Sequence, residues 1–131
     1  MAARRVLVIE DDAGSRDALG SLLTEEGYTV RTAPSGELGL ECAREFAPDT
    51  VLCDFYLPDL DGLQVLRRLR SMRPETCMII LTADCGGAEV ERALRREADV
   101  FLEKPLDLRR LSRVLRNGAG GGRSRRANAL N

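Results

Sequence analysis

The chain has 131 residues, 44% hydrophobic and 31% charged, with 20 basic against 21 acidic residues for a net charge of −1. That is the size and composition of one globular domain, large enough to bury roughly two thirds of its unfolded surface without a disulfide or metal staple. There is no histidine, which excludes a Ser-His-Asp triad, a histidine metal site and a phosphohistidine, and the balanced charge gives no overall pull toward nucleic acid or membrane.

The first apolar run, Val6–Ile9, ends at Glu10-Asp11-Asp12. It is too short for a signal peptide, and nothing along the chain approaches a membrane span, so a cytoplasmic location is expected. Cys42, Cys53, Cys77 and Cys85 show no C-x-x-C spacing and are expected to be free thiols in a reducing compartment. Asp12 is a good N-cap for a helix carrying Leu19, Leu22 and Leu23. Tyr28–Thr32 follows as a weakly alternating run, and Ser35 can cap a helix with Leu38, Cys42, Ala43 and Phe46 on its core face, ended by Pro48. Next come Thr50–Cys53, then a helical stripe of Leu63, Val65, Leu66, Leu69 and Met72 before Pro74. Cys77–Leu81 is the fourth run. The helix after Gly86-Gly87, over residues 88–96, has only Val90, Ala93 and Leu94 to anchor it. Val100–Leu102 is the last run, followed by a helix with Leu108, Leu111, Val114 and Leu115.

The runs start 22 to 27 residues apart. Short, continuous and rich in Val, Ile and Leu, they predict strands buried on both faces of a parallel sheet, and five strand–helix alternations predict a doubly wound α/β domain. Residues 1–117 form that domain. From 118 to 131 the Gly- and Arg-rich sequence loses apolar periodicity and reads as a flexible tail or the start of a linker. The tail is read as the frayed end of a stand-alone protein, with the receiving portion of a longer one as the alternative.

In open parallel sheets ligands bind beyond the carboxyl ends of the strands. Here those ends carry Glu10, Asp11 and Asp12 after the first strand, Asp54 after the third, Thr82 after the fourth and Lys104 after the fifth. Carboxylates brought together at ~4 Å repel by about 4 kcal/mol per pair at an effective dielectric near 20. Either one of them is neutral or a cation sits among them, and oxygen ligands without His or Cys suit Mg²⁺, with Mn²⁺ as a substitute. A carboxylate beside such an ion can accept a phosphoryl group, with the metal holding one oxygen, the Lys104 ammonium another and the Thr82 hydroxyl or nearby backbone amides the third. Lys104 is also the only lysine; every other basic residue is Arg.

The opening Val-Leu-Val-Ile-Glu10-Asp11-Asp12, Leu52-Cys-Asp54-Phe-Tyr-Leu-Pro58, Asp61-Gly62, Leu81-Thr82-Ala83 and Phe101-Leu-Glu-Lys104-Pro105 together resemble a response-regulator receiver domain of two-component signalling, over residues 4 to about 117. The resemblance implies a flavodoxin-like five-stranded sheet of order 2-1-3-4-5 and Asp54 as phosphoacceptor. It implies Mg²⁺ on Asp11, Asp54 and the backbone carbonyl of Tyr56, with Glu10 reaching it through water. Thr82 and Lys104 would contact the phosphoryl group, Lys104-Pro105 would be cis, and Thr82 with Phe101 would form the switch. Tyr56 and Asp84 occupy the positions that tune hydrolysis of the acyl phosphate in the family. The run Arg95-Arg-Glu-Ala98 lacks the glycine that often precedes this alanine, which implies a stiffer loop before the fifth strand.

By the same resemblance the phosphodonor is a sensor histidine kinase or histidine phosphotransfer protein. The output passes through the face made by the fourth helix, fifth strand and fifth helix to a downstream protein, or to a phosphorylation-dependent homodimer. Direct contact with nucleic acid or membrane is not expected, and the only catalysis expected is the chain's own phosphotransfer and autodephosphorylation. Three alternatives stand beside this reading. A phosphatase of the haloacid-dehalogenase type wants a second Asp where Tyr56 stands. A flavin module would find its phosphate repelled by Glu10-Asp11-Asp12. A receiver-like interaction module would bind partners without being phosphorylated.

Overall fold

Each apolar run becomes a strand, and each amphipathic stretch between runs becomes a helix. In the computed structural model, which describes residues 4–84 and 86–118, the order is β1 (Arg5–Ile9), α1 (Ala13–Glu25), β2 (Thr29–Ala33), α2 (Gly36–Phe46), β3 (Thr50–Asp54), α3 (Gly62–Met72), β4 (Cys77–Thr82), α4 (Ala88–Glu97), β5 (Val100–Glu103) and α5 (Leu108–Gly118). The strands pair in parallel in the order β2-β1-β3-β4-β5. Successive strand residues face opposite sides. Leu7, Ile9, Val51, Cys53, Met78 and Ile80 therefore pack against α2, α3 and α4, while Val6, Val8, Leu52, Ile79 and Leu81 pack against α1 and α5. The predicted fold class is the observed one, with helices on both faces. The glycine- and arginine-rich stretch from residue 119 and Cys85 lie outside the described residues.

Burial departs from the sequence expectation at three places. β2 is exposed along most of its length because the strand order leaves it on the edge, so its weak alternation carried the information. Leu38 is 50% exposed while Leu40 is buried. The cause is Gly39, where an added Cβ would run into the Ile9 side chain; this close approach turns α2 so that Gly39, Leu40, Ala43 and Phe46 face the sheet. Leu108 is also exposed, since it starts α5 at the rim and Leu111 and Leu115 fill the core.

The caps explain where the helices begin. The Asp12 carboxylate accepts the Ser15 N–H at 2.8 Å, and Ser35 caps α2 as expected. Asp61 and Gln64 form a reciprocal capping box at the start of α3, the arrangement that satisfies two orphan N–H donors at once. α4 alone among these four starts without a side-chain cap, after Gly86 and Gly87 at φ 83° and 144°. Only Ala93 and Leu94 are buried on it. The end of α4 and its link to β5 are held from α3 instead: Arg67 grips Glu97, the last residue of α4, with two bonds of 2.9 and 2.7 Å, and Arg70 reaches Asp99 at 2.8 Å.

Candidate functional site

The register places the site. Ile9 lies level with Cys53, and Asp54 with Leu81, so Glu10, Asp54 and Thr82 leave their strands at nearly one height. Thr82 pairs with Glu103, and the Lys104 N–H donates to the Thr82 carbonyl at 2.9 Å. The rim of the sheet thus gathers side chains that lie up to 94 residues apart in sequence.

Glu10, Asp54 and Thr82 are buried, Asp11 is exposed and Lys104 is half-buried. One carboxylate oxygen from each of Glu10, Asp11 and Asp54 lies within 4.8 Å of the others. The Lys104 Nζ is 2.9 Å from Asp54 Oδ1 and 3.4 Å from Glu10 Oε1. Three hard oxygen donors of like charge, one of them open to solvent, with no imidazole or thiolate, fit Mg²⁺ or Mn²⁺.

The electrostatics show the same crowding. Burial, then the Asp54 charge, holds the Glu10 carboxyl above its ordinary 4.5 despite an amide bond from Asp12 and the nearby Lys104. Desolvation pulls the Lys104 ammonium down, but the hydrogen bond and charge of Asp54, followed by Glu10, outweigh it and its value lies above 10.5. The signs follow. Lys104 contributes stability that is complete below pH 10.5 and lost as pH rises through its folded value. Glu10 favours the fold in its protonated form, a contribution present below pH 4.5 and lost as pH rises through its folded value. Ionised Glu10 is therefore a cost near neutral pH in the metal-free protein. Glu10→Gln is expected to raise the melting midpoint in chelator at pH 7 by about 2–4 °C, and to bring no gain at pH 4. A lower midpoint at pH 7 would contradict this account of the cluster.

Thr82 Oγ1 accepts the Asp84 N–H at 3.1 Å, and Asp84 Oδ1 accepts the Gly86 N–H at 3.0 Å. The hydroxyl therefore belongs to a small network in the β4–α4 loop. Tyr56 is 54% exposed and packs edge-on against Phe55 at 4.8 Å. Its hydroxyl lies beside Gly86, where a Cβ would come within 3.3 Å of it, so the ring spans from the β3–α3 loop to the β4–α4 loop. Phe101 is half-buried against the core, with the Arg95 guanidinium 4.6 Å over its ring. Arg95 also meets Glu91 at 3.0 Å. The Lys104-Pro105 peptide is cis.

Three contributors were not singled out from sequence. Arg16 donates to the carbonyls of Glu10 and Asp11. Asp59 receives the Gly36 and Glu37 N–H groups at 2.8 Å each and ties the β3–α3 loop to α2. Arg95 covers Phe101. Two of the three are arginines in a chain rich in them, so residue type alone carried no signal. Cys53 is fully buried, and burial followed by the Asp54 and Glu10 charges pushes its thiol far up, which keeps it protonated and inert. An apolar groove of about 350 Å³ opens beside Glu10 and Lys104, lined by Leu19, Leu22, Leu81, Pro105, Leu106 and Leu108. No helix among the described residues is long and apolar enough to cross a membrane.

Comparison with known proteins agrees with this geometry. Residues 6–116 match the response regulator receiver domain family. The chain is 41% identical over 117 residues to the transcriptional regulatory protein AfsQ1 of Streptomyces coelicolor, covering 86% of this chain and 52% of that protein. It is 38% identical over 107 residues to the response regulator MprA of Mycobacterium ulcerans, covering 82% and 46%. The chain thus spans about half the length of the curated relatives it matches. Among solved structures, the CheY-like receiver domain protein of Methanospirillum hungatei superposes with a TM-score of 0.84 at 26% identity, covering 89% of this chain and 94% of that one. A receiver domain protein of Clostridium thermocellum superposes at 0.77 with 30% identity, covering 87% and 92%. The acid cluster, the lysine beside it and the 2-1-3-4-5 sheet are thus those of two-component signalling, and the chain belongs to the response regulator receiver domain family.

Proposed function

We propose that this receiver domain accepts a phosphoryl group on Asp54 from a sensor histidine kinase or histidine phosphotransfer protein, and relays it through the face formed by α4, β5 and α5. The observation that carries the reading is the Lys104 Nζ at 2.9 Å from Asp54 Oδ1, with oxygens of Glu10 and Asp11 within 4.8 Å of Asp54. Asp54 attacks phosphorus, the Asp54 oxygen–phosphorus bond forms, the donor nitrogen–phosphorus bond breaks, and the electron pair leaves with the donor. Glu10, Asp11, Asp54 and the Tyr56 carbonyl are the groups that would hold Mg²⁺, Glu10 through water. The ion supplies charge neutralisation of the transferring group. Lys104 and the Thr82 hydroxyl bind the phosphoryl oxygens, and Tyr56 limits the approach of water to the acyl phosphate.

The apolar groove beside Lys104 supports docking of the donor protein close to Asp54. The start of α4 without a side-chain cap, after two glycines, and its two buried anchors Ala93 and Leu94 support α4 as the element that moves. The name of the Streptomyces relative supports control of transcription as the output, reached through a protein partner or a phosphorylation-dependent homodimer and not by nucleic-acid contact of this chain. Incubation with a small-molecule phosphodonor and Mg²⁺ is expected to give one acid-stable, base-labile modification. Chelator should stop it, and Asp54→Asn should abolish it. Equal modification of the Asn variant would reassign the acceptor, and no modification of the wild type would leave a receiver-like interaction module.

A further inference from the structure

Of the three acids in the cluster, Asp11 alone is exposed. Among the described residues its carboxylate makes no hydrogen bond and no ion pair, whereas Glu10 and Asp54 are buried and held by Lys104. Packing therefore fixes two members of the cluster and leaves the third to its backbone. That backbone is held twice: the Asp12 N–H, in the plane that follows Asp11, donates to Glu10 Oε2 at 3.3 Å, and Arg16 reaches the planes on both sides. Arg16 Nη1 donates to the Glu10 carbonyl at 2.9 Å and to the Asp11 carbonyl at 3.3 Å. These two oxygens belong to the peptide planes on either side of the Asp11 Cα, so the guanidinium ties the two planes to each other and with them the direction of the Asp11 side chain.

The sequence builds this in one helical turn. Asp12 caps α1 through the Ser15 N–H, and the Arg16 N–H closes the first turn on the Asp12 carbonyl at 2.9 Å. Helical side chains lean back toward the N-terminus, so Arg16 lies over the loop that precedes its own helix. Both bonds leave one nitrogen, Nη1, whose two N–H directions are fixed in the guanidinium plane; an ammonium, free to rotate on its stem, holds two carbonyls less rigidly.

We propose that Arg16 is a positioning residue for the divalent cation: it presets the Asp11 carboxylate by clamping the two peptide planes that flank it. The inference rests on the reading that the acid cluster takes Mg²⁺. Two bland roles compete with it, and each makes a different prediction. If Arg16 acted only through its charge, it would repel the cation, and its removal would tighten binding. If it acted only by satisfying two carbonyls, its removal would lower stability and leave the affinity of the folded protein for Mg²⁺ unchanged. A clamp gives the third result, weaker binding by the folded protein. Loss of a group that orients a metal ligand typically costs about 10- to 100-fold in affinity.

The test is calorimetric titration of the full chain with Mg²⁺ alone, beside urea unfolding in chelator, for wild type, Arg16→Ala and Arg16→Lys. The expected result is wild-type binding, about tenfold weaker binding by the Ala variant, and an intermediate value for Lys, which keeps the charge but loses the fixed plane of the guanidinium. The Mg²⁺ concentration needed for half-maximal modification of Asp54 should rise in step, while the maximal rate at saturating Mg²⁺ stays near that of wild type. Unchanged or tighter binding by the folded Ala variant overturns the inference. Should the Ala variant fail to fold, Arg16→Lys decides: weaker binding supports the clamp and wild-type binding overturns it. A wild type that shows neither a calorimetric response to Mg²⁺ nor Mg²⁺-dependent modification overturns the metal reading as well, whereas normal wild-type binding with an unaffected Ala variant overturns the clamp alone.

Discussion

Asp99→Ala is expected to lower the stability of the domain by about 3–5 kcal/mol, the cost of breaking a buried ion pair from one side. The Asp99 side chain is 1% exposed, and its Oδ2 accepts Arg70 Nη2 at 2.8 Å and the Met78 N–H at 2.7 Å. The Asp99 N–H returns a bond to the Met78 carbonyl at 3.0 Å. Removing the carboxylate orphans the fully buried Met78 N–H and strips Arg70 of its counter-charge. Arg70 would retain the Thr76 carbonyl at 2.8 Å and the Glu97 carbonyl at 3.3 Å, which places the loss toward the lower end of that range. Asp99→Asn keeps an oxygen for both donors and loses the charge, so about 1–2 kcal/mol is expected. Urea unfolding at pH 7 measures both, with an unchanged slope marking a pure stability effect. An Ala variant within about 1 kcal/mol of wild type would show that the pair is not what secures the entry to β5. In the folded fraction the site should still be assembled, because Lys104 is placed by the β4–β5 ladder beyond Asp99.

The sequence made this site legible because strand ends can be located from hydrophobic periodicity. Glu10, Asp54 and Thr82 each follow an apolar run directly and Lys104 stands one residue beyond another, and a parallel sheet brings such positions to one rim whatever the loops do. The order 2-1-3-4-5 came from the motif resemblance and not from periodicity, which is blind to strand neighbours. What stayed hidden depends on orientation within an element. The exposure of Leu38 and burial of Leu40 turned on how closely Gly39 approaches Ile9, a distance no residue pattern encodes. The arginines were hidden for another reason. Arg16, Arg70 and Arg95 look alike in sequence, yet one donates to the carbonyls of the acid loop, one pairs with a buried carboxylate and one covers an aromatic ring. Lys104 escaped that ambiguity only by being a different residue type.

Lys104→Arg is expected to separate phosphorylation from switching. The Lys104 ammonium is 2.9 Å from Asp54 Oδ1 and 3.4 Å from Glu10 Oε1, and Asp54 and Glu10 hold its value above the ordinary one against desolvation. A compact ammonium on a flexible stem can follow a phosphoryl oxygen as Asp54 is modified. A guanidinium is wider, and its donors are fixed in one plane. In the Arg variant Asp54 should still be modified, since the cation is the main electrostatic aid to transfer. What should be lost is the coordinated change that begins at Thr82. For Thr82 to turn to the phosphoryl group, its Oγ1 must leave the Asp84 N–H it now accepts at 3.1 Å. For Phe101 to follow, its ring must leave the Arg95 guanidinium at 4.6 Å. Those contacts hold the resting arrangement, and the phosphoryl contacts of Thr82 and Lys104 together must outweigh them to shift the population. Hydrogen exchange with and without a phosphoryl mimic should therefore differ most over residues 83–104 in wild type, and little in Lys104→Arg. Lys104→Ala should lose the same change. It should also bind Mg²⁺ about fivefold more tightly, since removing roughly 1 kcal/mol of like-charge repulsion has that effect. If Lys104→Arg instead shows the wild-type exchange difference, Lys104 has no part in the switch, and its being the only lysine reflects nothing more than codon usage.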